Sequence, residues 1–291
     1  MSPKDVRKKQ KVALVLEGGG MRGMFTAGVL DVLLEHGICD FSHVYGVSAG
    51  AINGANYMAG AAGRFCRDVL AFRDRPEFFS LFSYVKTGNV MGKEFLFDDV
   101  SNDIDPFPYK SFNKNRVPFT VVATDVTFGT PVYLDVKSLP RDFDAIIASA
   151  SLPHLSEVNT IDGKRLLDGG TADSIPVERA IADGAEKLVV VLTQDRNYTR
   201  PPQDPVTHLI QERYRSYPYY LETLRKRPER YNAQRQHVFE LEAKGQAVVL
   251  APAKPVELAT LEQDGEHLLR LYIDGTRQAH AALDQISALL V

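Results

Sequence analysis

The stretch HVYGVSAGAINGANYMAGA, residues 43–61, decides the fold, because an apolar strand pattern changes there into a helical run of small residues. Residues 43–47 are mostly apolar, and the alanines and glycines that follow let a helix pack close to a sheet. Ser48 stands at the change, between Gly46 and Gly50. A strand-to-helix turn of this sharpness needs small neighbours, so the pattern predicts a nucleophile elbow with an exposed serine hydroxyl.

A second signal lies upstream, where KVALVLEGGGMRG, residues 11–23, runs from an apolar strand into three glycines. Without side chains, Gly18, Gly19 and Gly20 can turn successive N–H groups toward one point, and the helix that follows adds a partial positive charge. Such a loop suits an anion, either a bound phosphate or the oxyanion that forms when a serine attacks an acyl carbonyl. In the second case, the N–H groups of Gly19, Gly20 and Ala49 are the expected donors.

The same loop satisfies the dinucleotide-binding pattern G-x-G-x-x-G through Gly18, Gly20 and Gly23. That fold places an acid at the end of the second strand, where it holds the ribose. The nearest acid, Asp40, precedes the apolar run, and Ser48 stands where the acid is expected. A dinucleotide-binding protein therefore remains a minor alternative.

A third signal is RLLDGG, residues 165–170, in which a short apolar strand ends on Asp168. Gly169 and Gly170 would let the chain turn away tightly and let another backbone approach. Asp-Gly is also one of the commonest turn dipeptides, so this element alone indicates only a turn.

Taken in order, the glycine loop, the serine elbow and the strand-end DGG resemble the patatin-like phospholipases, a family of serine acyl hydrolases, over roughly residues 12–184. The resemblance implies that Ser48 is the nucleophile, that Asp168 completes a two-residue catalytic dyad, and that phospholipid is the substrate class. It also implies an oxyanion hole formed by Gly18, Gly19, Gly20, Arg22 and Gly23. The segment SASLPHLSEV, residues 149–158, resembles the family's S-x-P segment but lacks the aromatic-proline pair that often follows.

The residues favour the same chemistry without the family. Serine is a weak nucleophile until its proton is removed, and Asp168 would have to accept that proton although an aspartate has a reference pKa of about 3.9. Burial would raise this pKa and make the carboxylate a better base. We therefore expect a serine lipid acyl hydrolase that works through an acyl-enzyme, on a lipid or small ester, without cofactor or metal. Arg22 would add positive potential to the loop or form a structural ion pair.

Two further alternatives stay open. An ordinary Ser-Asp-His esterase would draw its histidine from the four that follow Asp168, which are His208, His237, His267 and His280. All four lie in polar, helix-like surroundings, and the loop and the elbow are too close in sequence for that arrangement; His154 reads as a loop residue. The other alternative is a non-catalytic lipid-binding or interaction protein with an intact site.

Composition limits the partners. The 291 residues are 44% hydrophobic, enough for one sizeable core with an appended region, and the net charge of −3 gives no general reason to expect nucleic acid. Cys39 and Cys66 lie outside metal-ligand and redox spacings, which fits a reducing compartment. The sequence MSPKDVRKKQ, residues 1–10, lacks the apolar stretch of a secretory signal, and no segment approaches the roughly 18 apolar residues of a transmembrane helix. We expect a cytoplasmic protein, peripheral wherever it contacts a membrane; the oligomeric state stays open.

Apolar runs bounded by glycine and proline predict strands near residues 12–17, 43–47, 117–123, 130–135, 164–168, 187–193 and 247–251. Helical patterns lie between many of them. The alternation predicts an α/β fold, a three-layer sandwich with a mostly parallel central sheet and functional loops at the carboxyl ends of its strands.

We divide the chain into a catalytic domain, residues 1–198, and a C-terminal mainly helical extension, residues 199–291, packed on the core. The extension starts at the proline-rich TRPPQDP and holds the strand near 247–251 and helices near 264–273 and 275–290. Its basic, tyrosine-rich tract, residues 213–245, is expected to be a solvated helix that covers the core, with nucleic acid or phospholipid headgroup binding as the alternative.

The densest aromatic cluster is FFSLFSY, residues 78–84. We expect Phe78, Phe79, Leu81 and Phe82 to fill the core, because large aromatic and aliphatic side chains usually bury. A lid or a lipid-facing surface is the alternative.

Overall fold

The central sheet organises the molecule. A computed structural model describes residues 10–202, 205–258 and 262–290. Its strands are β1 (Val12–Leu16), β2 (His43–Val47), β3 (Phe119–Asp125), β4 (Thr130–Asp135), β5 (Asn159–Ile161), β6 (Lys164–Asp168), β7 (Lys187–Val191) and β8 (Ala247–Leu250). In the described ranges they form one sheet in the order β5-β6-β3-β2-β1-β7-β8, with β4 paired to β3.

The pairing is mixed and mostly parallel, as predicted. β2, β1, β7 and β8 run parallel to their neighbours, and β3 runs parallel to β2. β4 and β6 run antiparallel to β3, and β5 antiparallel to β6. Asp168 lies at the carboxyl end of β6, and because β6 runs antiparallel to β3 it comes to the site from the opposite direction.

Helices cover both faces of the sheet. They are α1 (Gly23–Glu35), α2 (Ala49–Met58), α3 (Arg64–Phe72), α4 (Leu81–Thr87), α5 (Tyr109–Lys114), α6 (Phe143–Ser149), α7 (Val177–Ala182), α8 (His208–Arg213), α9 (Pro218–Arg225), α10 (Arg227–Ala243) and α11 (Gly265–Leu290). A π-helical segment, Phe95–Ile104, lies between α4 and α5. The region between α2 and β3 is thus largely helical.

The buried strands explain the three layers. Val12, Leu14 and Leu16 of β1 belong to one core with α1, α2 and α11, while Ala13 and Val15 belong to a second core with α7 and α10. Alternate residues of a strand point to opposite faces, so a continuously apolar strand needs cover on both sides. The three-layer α/β prediction is confirmed.

One long helix, α11, replaces the two helices predicted near 264–273 and 275–290. Gly275 does not end the helix, because it lies at a close crossing with α1. A Cβ added there would stand 2.2 Å from the carbonyl oxygen of Phe25, and one added at Gly28 of α1 would stand 2.2 Å from that of Tyr272. The glycine in α11 therefore allows close packing of two helices.

The C-terminal part of the chain is joined to the main sheet and its helices. β8 pairs in parallel with β7, and α11 packs along α1. The basic tract is not a single solvated helix, since it forms α9 and α10 and buries Tyr214, Tyr220 and Tyr231 to 1% exposure or less. Residues 1–9 of the N-terminal sequence MSPKDVRKKQ lie outside the described ranges. Among the described helices, none has both the length and the apolar character needed to cross a bilayer.

Candidate active site

The turn from β2 into α2 places Ser48 in an unusual backbone conformation, with φ 55° and ψ −122°. Such a positive φ is rare for a residue with a side chain and occurs where surrounding structure holds it. The neighbours must be glycine: a Cβ at Gly50 would lie 2.5 Å from the carbonyl oxygen of Leu16, and one at Gly46 would lie 2.7 Å from the Cα of Ala51. The sequence therefore folds here as a tight strand-to-helix elbow.

Two strand pairings bring Asp168 level with the elbow. Val47 of β2 pairs with Val122 of β3, and the next β3 residue, Ala123, pairs with Asp168 at the end of β6. Ser48 and Asp168 thus lie on either side of β3, about two strand spacings (~9.6 Å) apart along the sheet at the backbone. Both are buried, Ser48 being 6% and Asp168 3% exposed.

The carboxyl of Asp168 has the environment of a base. Burial raises its pKa, while the hydroxyl of Ser48, the charge of Arg227 and the N–H of Gly170 partly lower it. The Gly170 N–H donates to Oδ1 at 2.7 Å. No described residue donates a hydrogen bond of normal distance and angle to Oδ2. The serine hydroxyl is thus close enough to influence the carboxyl, and Oδ2 has capacity for its proton.

The glycine loop packs directly on the elbow. A Cβ at Gly18 would lie 3.0 Å from the Cβ of Ser48, and Gly20 has a φ of 54°. The N–H groups of Gly19, Gly20 and Ala49 donate no turn or side-chain hydrogen bond within the described ranges. These amides, at the starts of two helical turns beside the serine, are available as donors to an oxyanion.

A buried acid, Glu17, anchors this loop. Its Oε2 accepts the N–H of Thr193 at 2.6 Å, its Oε1 accepts the hydroxyl of Tyr231 at 2.6 Å, and it is 1% exposed. Thr193 also donates its hydroxyl to the carbonyl of Gly18 at 3.1 Å. Sequence reasoning missed Glu17, although an acid that directly ends a fully apolar strand is a signal that it needs buried partners.

The two glycines after Asp168 have different neighbours. A Cβ at Gly169 would stand 2.1 Å from the carbonyl oxygen of Val122, so only glycine fits against β3. A Cβ at Gly170 would lie 3.3 Å from Nη2 of Arg227. The DGG turn thus lies next to the guanidinium of Arg227, a residue that the sequence did not identify as part of the site.

An apolar pocket opens beside Ser48 and Gly20. Phenylalanines supply much of its lining, and they are Phe65, Phe78, Phe79, Phe97, Phe107 and Phe143. Asp68 and Arg64 also line it and form an ion pair of 3.4 Å. Burial raises the pKa of Asp68 to about 7, Arg64 acts against this shift, and the charge of Asp105 adds to it. The pocket is therefore apolar with one buried ionic patch, suited to a hydrocarbon chain.

The aromatic cluster 78–84 divides between pocket and surface. Phe78 and Phe79 line the pocket, but Leu81 and Phe82 on α4 are 61% and 55% exposed. The expectation that all four fill the core is wrong for these last two, which lie on the solvent-facing side of α4.

Three of the four histidines that a triad could use have partners elsewhere. His237 lies 2.8 Å from Glu178, His280 packs edge-on against His36, and His267 lies 3.9 Å from Asp264. His208 and His154 are exposed, and the backbone N–H of His154 donates to the hydroxyl of Tyr214.

Arg22 of the glycine loop has a buried Nε with no acceptor in the described part of the chain. Within the same ranges, no group of three or more His, Cys, Asp or Glu side chains could hold a metal ion.

Several known proteins are similar to parts of this chain. The chain is 28% identical to the protein YjjU of Escherichia coli (strain K12) over 71% of its own length and 62% of that protein's. It is 27% identical to an NTE family protein of Mycobacterium tuberculosis, over 69% and 54%, and 29% identical to lysophospholipase NTE1 of Meyerozyma guilliermondii, over 64% and 13%. The chain thus spans less than two thirds of these relatives. VipD from Legionella pneumophila superposes with a TM-score of 0.47 at 13% identity, over 95% of this chain and 67% of that one.

Family models account for most of the chain. Residues 217–291 match a domain of unknown function (DUF6363). Residues 14–181, more than half of the chain, match the patatin-like phospholipase model, and this range contains the glycine loop, Ser48 and Asp168. The chain therefore belongs to the patatin-like phospholipase family.

Proposed function

We propose that the protein is a serine lipid acyl hydrolase that cleaves carboxylic esters through an acyl-enzyme on Ser48, with Asp168 as general base. The observation that carries this proposal is that β2 and β6 lie on either side of β3 and bring Ser48 and a buried Asp168 carboxyl of raised pKa to the same site. A serine becomes nucleophilic when an adjacent base takes its proton, and a raised pKa makes a carboxylate a better base.

The residues support a two-step reaction. Oγ of Ser48 attacks the ester carbonyl carbon while Asp168 takes its proton, and the charge on the carbonyl oxygen is stabilised by the N–H groups of Gly19, Gly20 and Ala49. Collapse of this intermediate breaks the ester C–O bond, and Asp168 returns the proton to the leaving alcohol. A water molecule then attacks the acyl-enzyme by the same route and releases the fatty acid.

The pocket and the relatives support a lipid as the substrate. Its phenylalanine-rich lining begins at Ser48 and suits an acyl chain. A relative that bears the name lysophospholipase matches this chain over 64% of its length. A phospholipid or lysophospholipid ester is the substrate class we propose.

Several residues have supporting roles in this proposal. Gly18 and Gly23 shape the oxyanion loop, and Arg22 adds positive potential to it. Gly46, Gly50, Gly169 and Gly170 supply the close turns of the elbow and the DGG segment.

An Asp-Ser pair without histidine is favoured over a triad because the contacts of the candidate histidines lie elsewhere.

Exposed apolar residues on α4 support peripheral contact with a lipid surface. Leu81, Phe82 and Val85 are 61%, 55% and 85% exposed, next to Phe78 and Phe79 of the pocket lining. Side chains of this kind at a pocket mouth would insert at a membrane interface and shorten the path of a lipid to Ser48.

A cytoplasmic location remains a prediction. The division of the chain after residue 198 is also a prediction. The proline-rich segment near residue 199 and the two separate family matches support that division.

A short-chain chromogenic ester tests the mechanism. We expect Ser48→Ala to abolish hydrolysis and Asp168→Asn to lower kcat by about 10³-fold or more, since general-base catalysis contributes 10²–10⁴-fold and the neutral amide disturbs the serine as well. Exchange of each candidate histidine for glutamine should leave kcat within twofold. A histidine variant without activity beside an active Asp168→Asn would establish the triad instead, and a folded wild-type protein inactive on every ester would favour a binding protein.

A further inference from the structure

Arg227 lies beside the base of the proposed dyad, and the charges of Arg22 and Arg200 act on it. Burial lowers the pKa of Arg227, repulsion from Arg200 and Arg22 lowers it further, and the charge of Asp168 acts in the opposite direction. Nη2 of Arg227 lies 3.3 Å from the point that a Cβ on Gly170 would occupy, two residues after Asp168. One glycine-loop residue and two residues of the C-terminal part thus concentrate positive charge at one place.

Each of these guanidinium groups has one buried nitrogen without a hydrogen-bond partner in the described ranges. The Nε atoms of Arg22, Arg200 and Arg227 are all buried without a hydrogen-bond acceptor in the described ranges. By contrast, the buried Arg64 donates to the carbonyl of Asp105 and to the side chains of nearby polar residues. A buried N–H donor without an acceptor costs free energy, so these three Nε atoms have unused capacity for an anion.

The cluster is held in place by its surroundings. The guanidinium of Arg200 stacks 4.5 Å from the ring centre of Tyr231, and its backbone N–H donates to Oδ1 of Asn232 at 2.8 Å. Arg227 begins α10, the helix that also carries Tyr231 and Asn232. Because Tyr231 is bonded to Glu17 below the glycine loop, the cationic groups and the oxyanion loop share one rigid support.

The arginine cluster and the apolar pocket are separate features of the site. Ser48 lines the pocket, whereas Asp168 and the three arginines are outside the lining that the described residues form. An ester whose acyl chain enters the pocket directs its alcohol portion away from it. In a glycerophospholipid that portion carries a phosphate, and arginine binds phosphate oxygens through paired N–H donors.

We propose that Arg200 and Arg227, assisted by Arg22, form a subsite for the phosphate group of a phospholipid headgroup whose ester carbonyl lies at Ser48. This inference rests on the proposed function and adds the residues that select the anionic alcohol portion. A free phosphate ion has the same chemistry, and the experiment separates the two sources.

The test compares two substrates with the same acyl chain, lysophosphatidic acid and monoacylglycerol, each presented in the same neutral detergent micelles. We expect the wild-type ratio of kcat/KM to favour the phosphate-bearing ester and Arg200→Gln to lower that ratio by about tenfold or more, chiefly through KM. Arg200→Lys should restore part of the ratio. Arg215→Gln, at an exposed arginine on the loop before α9, is the matched control and should leave the ratio unchanged.

The ratio is insensitive to partial unfolding, since unfolded protein lowers both rates equally. Arg227→Gln provides a second variant and should also lower the ratio. An unchanged ratio in both variants would overturn the inference. Inhibition of monoacylglycerol hydrolysis by inorganic phosphate that weakens in Arg200→Gln, with the substrate ratio unchanged, would assign the cluster to a free ion and also overturn it. If the wild-type protein hydrolysed neither substrate, the proposed function itself would fail.

Discussion

Glu17 and Tyr231 are joined by a hydrogen bond of 2.6 Å across 214 residues of sequence. Glu17 directly follows β1, where the glycine loop begins, and Tyr231 lies in α10. Both side chains are 1% exposed, so this bond exists in the interior. The C-terminal region is therefore tied to the base of the oxyanion loop.

Loss of this bond should lower stability. Tyr231→Phe would leave Oε1 of Glu17 buried without its donor, and a buried acceptor that loses its partner costs about 1–3 kcal/mol. We expect a loss of that size in the free energy of unfolding, measured by urea denaturation. Tyr219→Phe, at a position 64% exposed in α9, is the control and should change stability by less than about 0.5 kcal/mol. Equal stability of Tyr231→Phe and the wild type would contradict the anchoring role.

The crossing of α1 and α11 predicts an effect opposite to helix propensity. Gly→Ala in an exposed helix stabilises by about 1 kcal/mol, but a Cβ at Gly275 would stand 2.2 Å from the carbonyl oxygen of Phe25. We expect Gly275→Ala to lower the free energy of unfolding by about 1–3 kcal/mol through overpacking. Ser287→Ala, at an exposed position of the same helix, should have little effect. A stabilised Gly275→Ala protein would show that the two helices do not meet as described.

The pocket acid Asp68 predicts a specific dependence of stability on pH. Burial raises its pKa from an ordinary 3.8 to about 7, so the folded state holds this proton where the unfolded state has lost it. Its contribution to stability is complete below pH 3.8 and is lost as the pH rises toward 7, with a slope of at most about 1.4 kcal/mol per pH unit. In Asp68→Asn this decline should disappear. The check is urea denaturation at several pH values, and parallel curves for both proteins would contradict it.

The pH profile of hydrolysis should reveal the charge of Arg227. The carboxyl of Asp168 must be ionised to act as a base, so kcat/KM should fall on the acid side at a pH above the ordinary value of 3.8. Because Arg227 lowers the pKa of Asp168, Arg227→Gln should move this acid limb to higher pH. Arg215→Gln should not move it. A limb that stays in place in Arg227→Gln would show that the two charges do not interact.

The sequence predicted much of the fold and the catalytic candidates, because those features are local. Apolar runs located seven strands, and Ser48 and Asp168 follow strands with the glycines that tight turns require. Short β5 was not predicted, since three residues give too little periodicity.

Contacts between distant segments could not be predicted. Arg227 lies in a basic tract whose pattern is that of a solvated helix, and only folding brings it to Gly170. Gly275 looks like a helix end in sequence and becomes a packing position through its contact with Phe25. The direction of β6 has the same origin, because strand pairing with β3 is decided by tertiary structure.

Covalent labelling with a fluorophosphonate, followed by mass spectrometry of the digested protein, tests the central claim most directly. A fluorophosphonate reacts with a serine whose hydroxyl has been activated. We predict one adduct, on the peptide that contains Ser48, no adduct in Ser48→Ala, and labelling at least tenfold slower in Asp168→Asn. An adduct on another residue, or labelling of Asp168→Asn at the wild-type rate, would contradict the account.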